Sequence, residues 1–295
     1  MRCVLVGGIG YLGVNLLKHA REYGVETVVV SRVRSAERRP WLYDIVRDLA
    51  GNIIFVKDHI TWDSVAEANG DCVVHLTGKP RGPRQLQYEA HVRLAEESMK
   101  GARENGAFFI YISSIAVTAD ASRAPYWSRV VEEEPHLSGD HNSVVWQTYH
   151  SETKALGEEK VAGYKYNWLT LRPGLIVGDY AYHMEWKLLR AVSRLRIYPY
   201  TRAPVSPMGI LSRLIYGLEQ HGLKDTWINA VEPGKTLRDY MEKICGSNCR
   251  PIDTTTLMGI GSLMPRTSKL RLAWSILRKN YTYDTKYRDA FIEEP

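Results

Sequence analysis

The stretch GGIGYLG, Gly7 to Gly13, follows the apolar run CVLV directly and leads into VNLLKHAREYG, whose apolar residues recur at helical spacing. A strand that passes at once into a helix through glycines 7, 10 and 13 is the context that lifts such a pattern above a plain glycine-rich turn. Glycine lets the backbone turn tightly and come close to a pyrophosphate, whose charge then sits at the positive end of the helix. Gly7, Gly10, Tyr11, Leu12 and Gly13 are therefore candidate contacts to a dinucleotide.

The same rhythm continues outward from this motif. ETVVVSR, NIIFVKD, CVVHLTG, AFFIYISS and NWLTLRPG are short β-rich runs, and amphipathic stretches such as SVAEANG and EAHVRLAEESMKGARENG lie between them. Alternation of this kind predicts parallel strands covered by helices on both faces. There is no internal repeat and no low-complexity linker. After Gly178 longer helices with aromatic and basic residues take over, so a first domain is expected over 1–178 and a smaller lobe over 179–295.

With 295 residues, 44% apolar and 24% charged, the chain can bury a sizeable core. No run of about 18 apolar residues suggests a membrane span. MRCVLVGG enters a strand without a signal-like region, so a cytoplasmic location is expected. The net charge is +6, but the basic residues are spread along the chain. They include no tract of the kind that binds a nucleic-acid backbone, no nucleic-acid partner is expected, and an anionic small ligand accounts for them as well. Cys3, Cys72, Cys245 and Cys249 are too scattered for a disulfide framework, and CGSNC lacks two further zinc ligands. Structural thiols or one opportunistic disulfide are expected, and no metal.

The end of the second strand, VVVSRVRS, bears on which dinucleotide fits. An acidic residue there would accept hydrogen bonds from the adenosine ribose, whereas an arginine pairs with a 2′-phosphate. Ser31 and Arg32 stand at this place with Arg34 nearby, which favours NADP over NAD, the rival reading being a solvated surface arginine.

These motifs, in this order, resemble the short-chain dehydrogenase/reductase superfamily, in its extended or atypical branch of NAD(P)-dependent nucleotide-sugar epimerases and dehydratases. The resemblance covers nearly the whole chain. It implies an α/β fold, a Rossmann-type doubly wound parallel sheet with a smaller C-terminal α/β substrate lobe. Asp58 in FVKDHI is similar to the family's acidic residue against the adenine, and His75, Leu76 and Thr77 in HLTG to the fourth-strand loop beside the cofactor. YISSIAV resembles the fifth strand with its catalytic serine, here Ser114. LRPGLIVG resembles the segment in which the backbone near Pro173 lies by the nicotinamide. PVSPMGILSRLIYGLE, INAVEPGKTLRDYMEKI and YTYDTKYRDAF resemble elements of the C-terminal lobe, where the family binds the diphosphate of its substrate and where Arg190, Arg194, Arg196 and Arg202 fall. Half or more of these arginines are expected to be ordinary surface residues. The family also implies a homodimer through the helices after the fourth and fifth strands, with Val92, Leu94, Ala95 and Met99 as candidates for burial.

TYHSETKALGE, Thr148 to Glu158, resembles the helix that carries the family's Tyr-x-x-x-Lys pair, but Tyr149 and Lys154 are five residues apart. On a helix that spacing separates side chains by about 140°, against about 40° for four residues. Three readings follow. A distorted first turn or π-bulge returns Tyr149 to Lys154; or His150, four residues before Lys154, is the acid/base; or neither does chemistry and Lys154 only holds the cofactor. The first is favoured over the second by a small margin. In the third, the chain is a catalytically degenerate NADP(H)-binding structural or regulatory subunit, of a kind that atypical members of the superfamily include. The enzyme reading, an epimerase, dehydratase or reductase transferring hydride to or from a sugar nucleotide or similar carbonyl/hydroxyl substrate, is preferred. Trp146, Trp168, Trp186, Trp227 and Trp274 are expected in core or lobe packing, and EEEP, Glu132 to Pro135, in a solvated loop.

Overall fold

The structure, a computed structural model, describes residues 1–79, 81–119, 129–130, 148–180, 184–200, 203–246, 249–253, 265–267 and 282–283. The EEEP segment, Trp146, Arg202, Trp274 and most of YTYDTKYRDAF lie outside them.

In chain order the elements begin with β1 (Arg2–Val6), α1 (Tyr11–Glu22), β2 (Glu26–Arg32), α2 (Val33–Glu37), α3 (Pro40–Leu49), β3 (Asn52–Val56), α4 (Trp62–Glu67) and β4 (Cys72–His75). Next come α5 (Arg84–Tyr88), a π-helical turn over Glu89–Arg93, α6 (Leu94–Glu104), β5 (Phe108–Ile112), α7 (Ala116–Ala119), β6 (Arg129–Val130) and α8 (Tyr149–Gly163). The remainder are β7 (Trp168–Leu171), β8 (Leu175–Val177), α9 (Met184–Arg194), β9 (Ile197–Tyr200), β10 (Val205–Pro207), α10 (Met208–Tyr216), α11 (Leu218–His221), β11 (Thr226–Ile228), α12 (Leu237–Cys245), β12 (Arg250–Asp253) and β13 (Thr282–Tyr283).

Seven parallel strands form one sheet in the order β11-β7-β5-β4-β1-β2-β3. The six runs picked out by β-rich composition supply six of them. The seventh, β11, comes from the later part of the chain. Strand residues alternate between faces, so β1 sends Cys3 and Leu5 to one side and Val4 and Val6 to the other. The first side packs on α1, α3 and α10 through Leu16, Leu17, Leu42, Val46, Leu211 and Ile215. The second packs on α4, α6 and α8 through Val65, Met99 and Val161. Each such aliphatic side chain taken fully out of water contributes on the order of 1.5–3 kcal/mol before entropy is counted. The sheet is thus doubly wound, as expected, and the later part of the chain supplies both an edge strand and a covering helix.

A smaller cluster, including Trp186, Leu189, Tyr198, Val205, Leu237 and Met241, holds α9, α12, β9 and β10 together. Cys245 and Cys249 are disulfide-bonded, with Cα atoms 5.7 Å apart, and Cys3 and Cys72 are buried thiols. Trp168 is buried against Trp227, their ring centroids 4.9 Å apart, and buried Trp186 donates to Ile176 O. Val92, Ala95 and Met99 are buried in the chain's own core, with Leu94 partly buried against it. Among the described residues no helix is long and apolar enough to cross a membrane.

Candidate active site

The C-terminal ends of β1, β2, β4, β5 and β7 open on one edge of the sheet, at the place where the strand order reverses around β1 and β4. Gly7 there has φ +82°, and a Cβ on it would lie 2.6 Å from Thr77 Cγ2, so only glycine lets the β1 and β4 loops touch. A Cβ on Gly13 would strike the carbonyl of Gly8, which is how α1 packs so closely on the turn. At Gly10 the space is open, the nearest atom being Gly7 O at 3.7 Å. Gly10 caps α1 without a side-chain hydrogen bond, and the first turn has no acidic residue. Buried Tyr11 donates from its hydroxyl to Ile176 O at 3.3 Å. Leu12 is half-buried against the core.

Ser31 is buried, and its Oγ has no partner among the described residues. Arg32, the last residue of β2, is exposed beside it, and Asp58 is exposed in the loop after β3. Arg39 donates to Ile9 O at 3.1 Å, tying the start of α3 to the glycine turn. The sequence signals this residue only as one more arginine in the run ERRP, because its partner is a backbone carbonyl thirty residues away.

His75 is buried at the end of β4, with Nδ1 3.0 Å from Ser98 Oγ and Nε2 2.5 Å from Thr77 Oγ1. Burial, helped by the nearby Lys154 charge, lowers its pKa to about 3. It is a neutral brace for the loop of Leu76 and Thr77, and its ring is spent on protein partners. Leu76 continues the strand by donating its N–H to Val6 O.

Two backbone hydrogen bonds bring the fifth- and sixth-strand loops together: Ser113 N–H to Leu171 O, and Ile115 N–H to Pro173 O. Ser114 lies between them, half-buried, its Oγ accepting from Ala116 N–H at 3.2 Å. Pro173 is buried at the same junction.

Helix α8 begins at Tyr149 and is α-helical throughout. Thr148 caps it by accepting from Ser151 N–H. Its first turn carries no π-bulge; the π-helical turn lies instead at Glu89–Arg93, packed against α8. On the regular helix His150 and Lys154 share a face, as four-residue spacing requires. The His150 ring meets His91 edge-on, centroids 5.1 Å apart. His91 is buried, with Nδ1 2.7 Å from Thr153 Oγ1 and Nε2 accepting from Lys79 N–H at 3.0 Å. Burial holds it neutral, well below its ordinary pKa. Tyr149 is half-buried on the side of the helix that faces Arg84, which pairs with Glu152 at 2.7 Å.

Lys154 is buried and donates from Nζ to Ile112 O at 2.6 Å, with the ammonium 4.8 Å from the Tyr111 ring centroid. Burial lowers its pKa to about 7 against the opposing pull of Glu158. One turn further on, Glu158 accepts from Arg172 Nε and Nη2, at 2.9 and 2.7 Å, with neither side chain exposed. The motif LRPG contains this arginine, but nothing local in the sequence marks its partner.

A dinucleotide fits this edge. The glycine cradle leaves space that a Cβ at Gly10 would enter, the first turn of α1 offers N–H groups without a competing acid, and the Ser31 hydroxyl beside Arg32 has no partner among the described residues. Among the described residues no group of three or more His, Cys, Asp or Glu side chains could hold a metal ion.

Residues 3–197 match the NAD dependent epimerase/dehydratase family. No curated protein matches. Among solved structures the chain is similar to the terminal R domain from the myxalamid PKS-NRPS biosynthetic pathway, with TM-score 0.68 and 16% identity over 98% of this chain and 83% of that one. It is also similar to UDP-glucose 4-epimerase with UDP-glucose from the hyperthermophilic eubacterium Thermotoga maritima, with TM-score 0.64 and 13% identity over 98% and 91%. A dTDP-4-dehydrorhamnose reductase ortholog from Clostridium acetobutylicum gives TM-score 0.64 and 15% identity over 97% and 91%. At such identities these likenesses speak for the fold.

Proposed function

We propose, since this chain belongs to the NAD dependent epimerase/dehydratase family, that it is an NADP(H)-dependent enzyme acting on a sugar nucleotide or similar carbonyl/hydroxyl substrate, as an epimerase, dehydratase or reductase. The observation that carries this reading is the regular α8, which sets His150 one turn before Lys154 on the same helix face at the strand ends. NADP(H), when bound, supplies or accepts the hydride. Gly7, Gly10, Tyr11, Leu12 and Gly13 would hold its pyrophosphate, Ser31 and Arg32 its 2′-phosphate, and Asp58 its adenine. His75, through the Leu76–Thr77 loop it braces, and Pro173 would border the reactive ring.

The chain's own residues divide the remaining work. His150 gives or takes the proton at the substrate oxygen, in place of the family's tyrosine. Ser114 orients that oxygen. Lys154, when protonated, adds positive charge at this end of the crevice. Tyr149, turned toward Arg84, lines the approach.

One observation favours a second reading, a catalytically degenerate NADP(H)-binding structural or regulatory subunit: the Lys154 ammonium is spent on Ile112 O and the Tyr111 face. Single-turnover oxidation of bound NADPH, assayed with 4-keto sugar nucleotides and simple ketones, separates the two. The enzyme reading expects turnover that falls by 10²-fold or more in His150→Ala while NADPH affinity holds, and much less in Tyr149→Phe. NADPH that binds tightly and is oxidised by none of these substrates would leave the structural subunit.

A further inference from the structure

We propose that the outer face of the smaller lobe, around the end of α9 and the β9–β12 ribbon, docks on an anionic lipid bilayer surface. On α9, Trp186 and Leu189 turn inward while Lys187, Arg190 and Arg194 are exposed. Their spacing of three and four residues places these cations in one stripe about 10 Å long at 1.5 Å per residue. The chain then turns through Arg196, which has φ +57°, into β9. There Arg250 N–H donates to Arg196 O, and β12 runs in register with β9, Arg250 beside Ile197 and Ile252 beside Pro199. Tyr198 points inward from this ribbon to Glu242, so Arg250 and Ile252 are left on the outer face.

Three aliphatic side chains stand out of this basic ground: Leu195 at 71% exposure, Ile244 at 48% and Ile252 at 38%. Ile244 joins the same patch because its neighbour Cys245 has Sγ 3.7 Å from Ser193 O. Lys187, Arg190, Arg194, Arg196 and Arg250 make no ion pair among the described residues. Glu242, an acid beside them on α12, is taken up by Arg238 and Tyr198.

The pattern selects its partner. Five cations that make no ion pair among the described residues, spread over a helix side and a ribbon, exceed the footprint of one small anion. Exposed aliphatic tips within a cationic field are what the headgroup boundary of an anionic bilayer binds, by charge first and by shallow burial second. Nucleic acid would use the charge and leave the aliphatics without a role. A second copy meeting the same face would set like charges against each other.

Co-sedimentation of the full chain with vesicles tests this. Vesicles of phosphatidylcholine with phosphatidylglycerol should bind it, vesicles of phosphatidylcholine alone should not, and raised salt should release it. Arg190→Gln with Arg194→Gln should weaken binding on the order of fivefold per charge removed. Leu195→Ser with Ile252→Ser should weaken it while leaving the charge, and both double variants should keep the parent melting temperature because all four side chains are exposed. Absence of binding to the anionic vesicles at low salt overturns the proposal. So does binding that is indifferent to the Leu195→Ser/Ile252→Ser change and equalled by a single-stranded oligonucleotide, since that describes a general polyanion face.

Discussion

Ser31 and Arg32 show how far single residues can be read. An acid at the end of β2 would hold the two ribose hydroxyls of NAD, and this chain has a small buried hydroxyl and an exposed guanidinium there. Arg39 is held at Ile9 O and belongs to the glycine turn, whereas Arg32 faces solvent with its side chain available to a phosphate. Removing Arg32 should therefore touch NADPH and spare NADH. In calorimetric titrations Arg32→Ala is expected to cost about 1–3 kcal/mol for NADPH, the range for a charge-assisted hydrogen bond, with NADH affinity unchanged. An equal loss for both cofactors would assign Arg32 to the fold or to the pyrophosphate. Gly7 and Gly13 were legible because their roles are backbone roles fixed by local order along the chain. His75 was less so: its position in HLTG is local, but its ring contacts, Ser98 and Thr77, are set by tertiary packing.

At the scale of the element, α8 explains why TYHSETK is ambiguous as sequence. Its buried residues include Ser151, Thr153, Lys154 and Glu158, so polar side chains occupy the face that an apolar stripe would normally mark. Without that stripe, spacing alone cannot say which of Tyr149 and His150 turns inward, and the decisive contact, His91, arrives from the π-helical turn far earlier in the chain. The burial of Lys154 has a measurable consequence. Its folded pKa of about 7 lies below the unfolded value of 10.5, so between these values the unfolded chain binds more protons than the folded one. Unfolding free energy should then rise with pH across that window, by up to about 1.4 kcal/mol per pH unit from this group. Lys154→Met should flatten the rise in urea unfolding measured at pH 7.5 and 9. An equally steep rise in the variant would place the titrating group elsewhere.

At the scale of the whole molecule, the sheet is completed by chain that the βαβ rhythm does not announce. β11 is three residues long, and the helix that covers the neighbouring face, α10, follows a separate two-stranded pairing of β8 with β10. Short strands carry little periodicity, so their place depends on what receives them. Arg172 is that receiver. Its N–H donates to Ile228 O, its carbonyl accepts from Ala230 N–H, and its guanidinium lies within 6.0 Å of the Trp227 ring while Nε and Nη2 donate to Glu158 of α8. One buried ion pair thus joins the edge strand, the sixth strand of the sheet and the helix of the candidate site. Desolvation makes such a pair weak evidence of net stability, but breaking it takes the carboxylate away from a fully buried guanidinium. Glu158→Gln should cost about 3–5 kcal/mol in urea unfolding, whereas Arg172→Met with Glu158→Leu, which removes both charges and keeps apolar volume, should recover most of that loss. If Glu158→Gln costs little, the other contacts of Arg172 carry its charge. If the double change costs as much as the single, the pair acts through its geometry, holding β11 and α8 in place, more than through its charge.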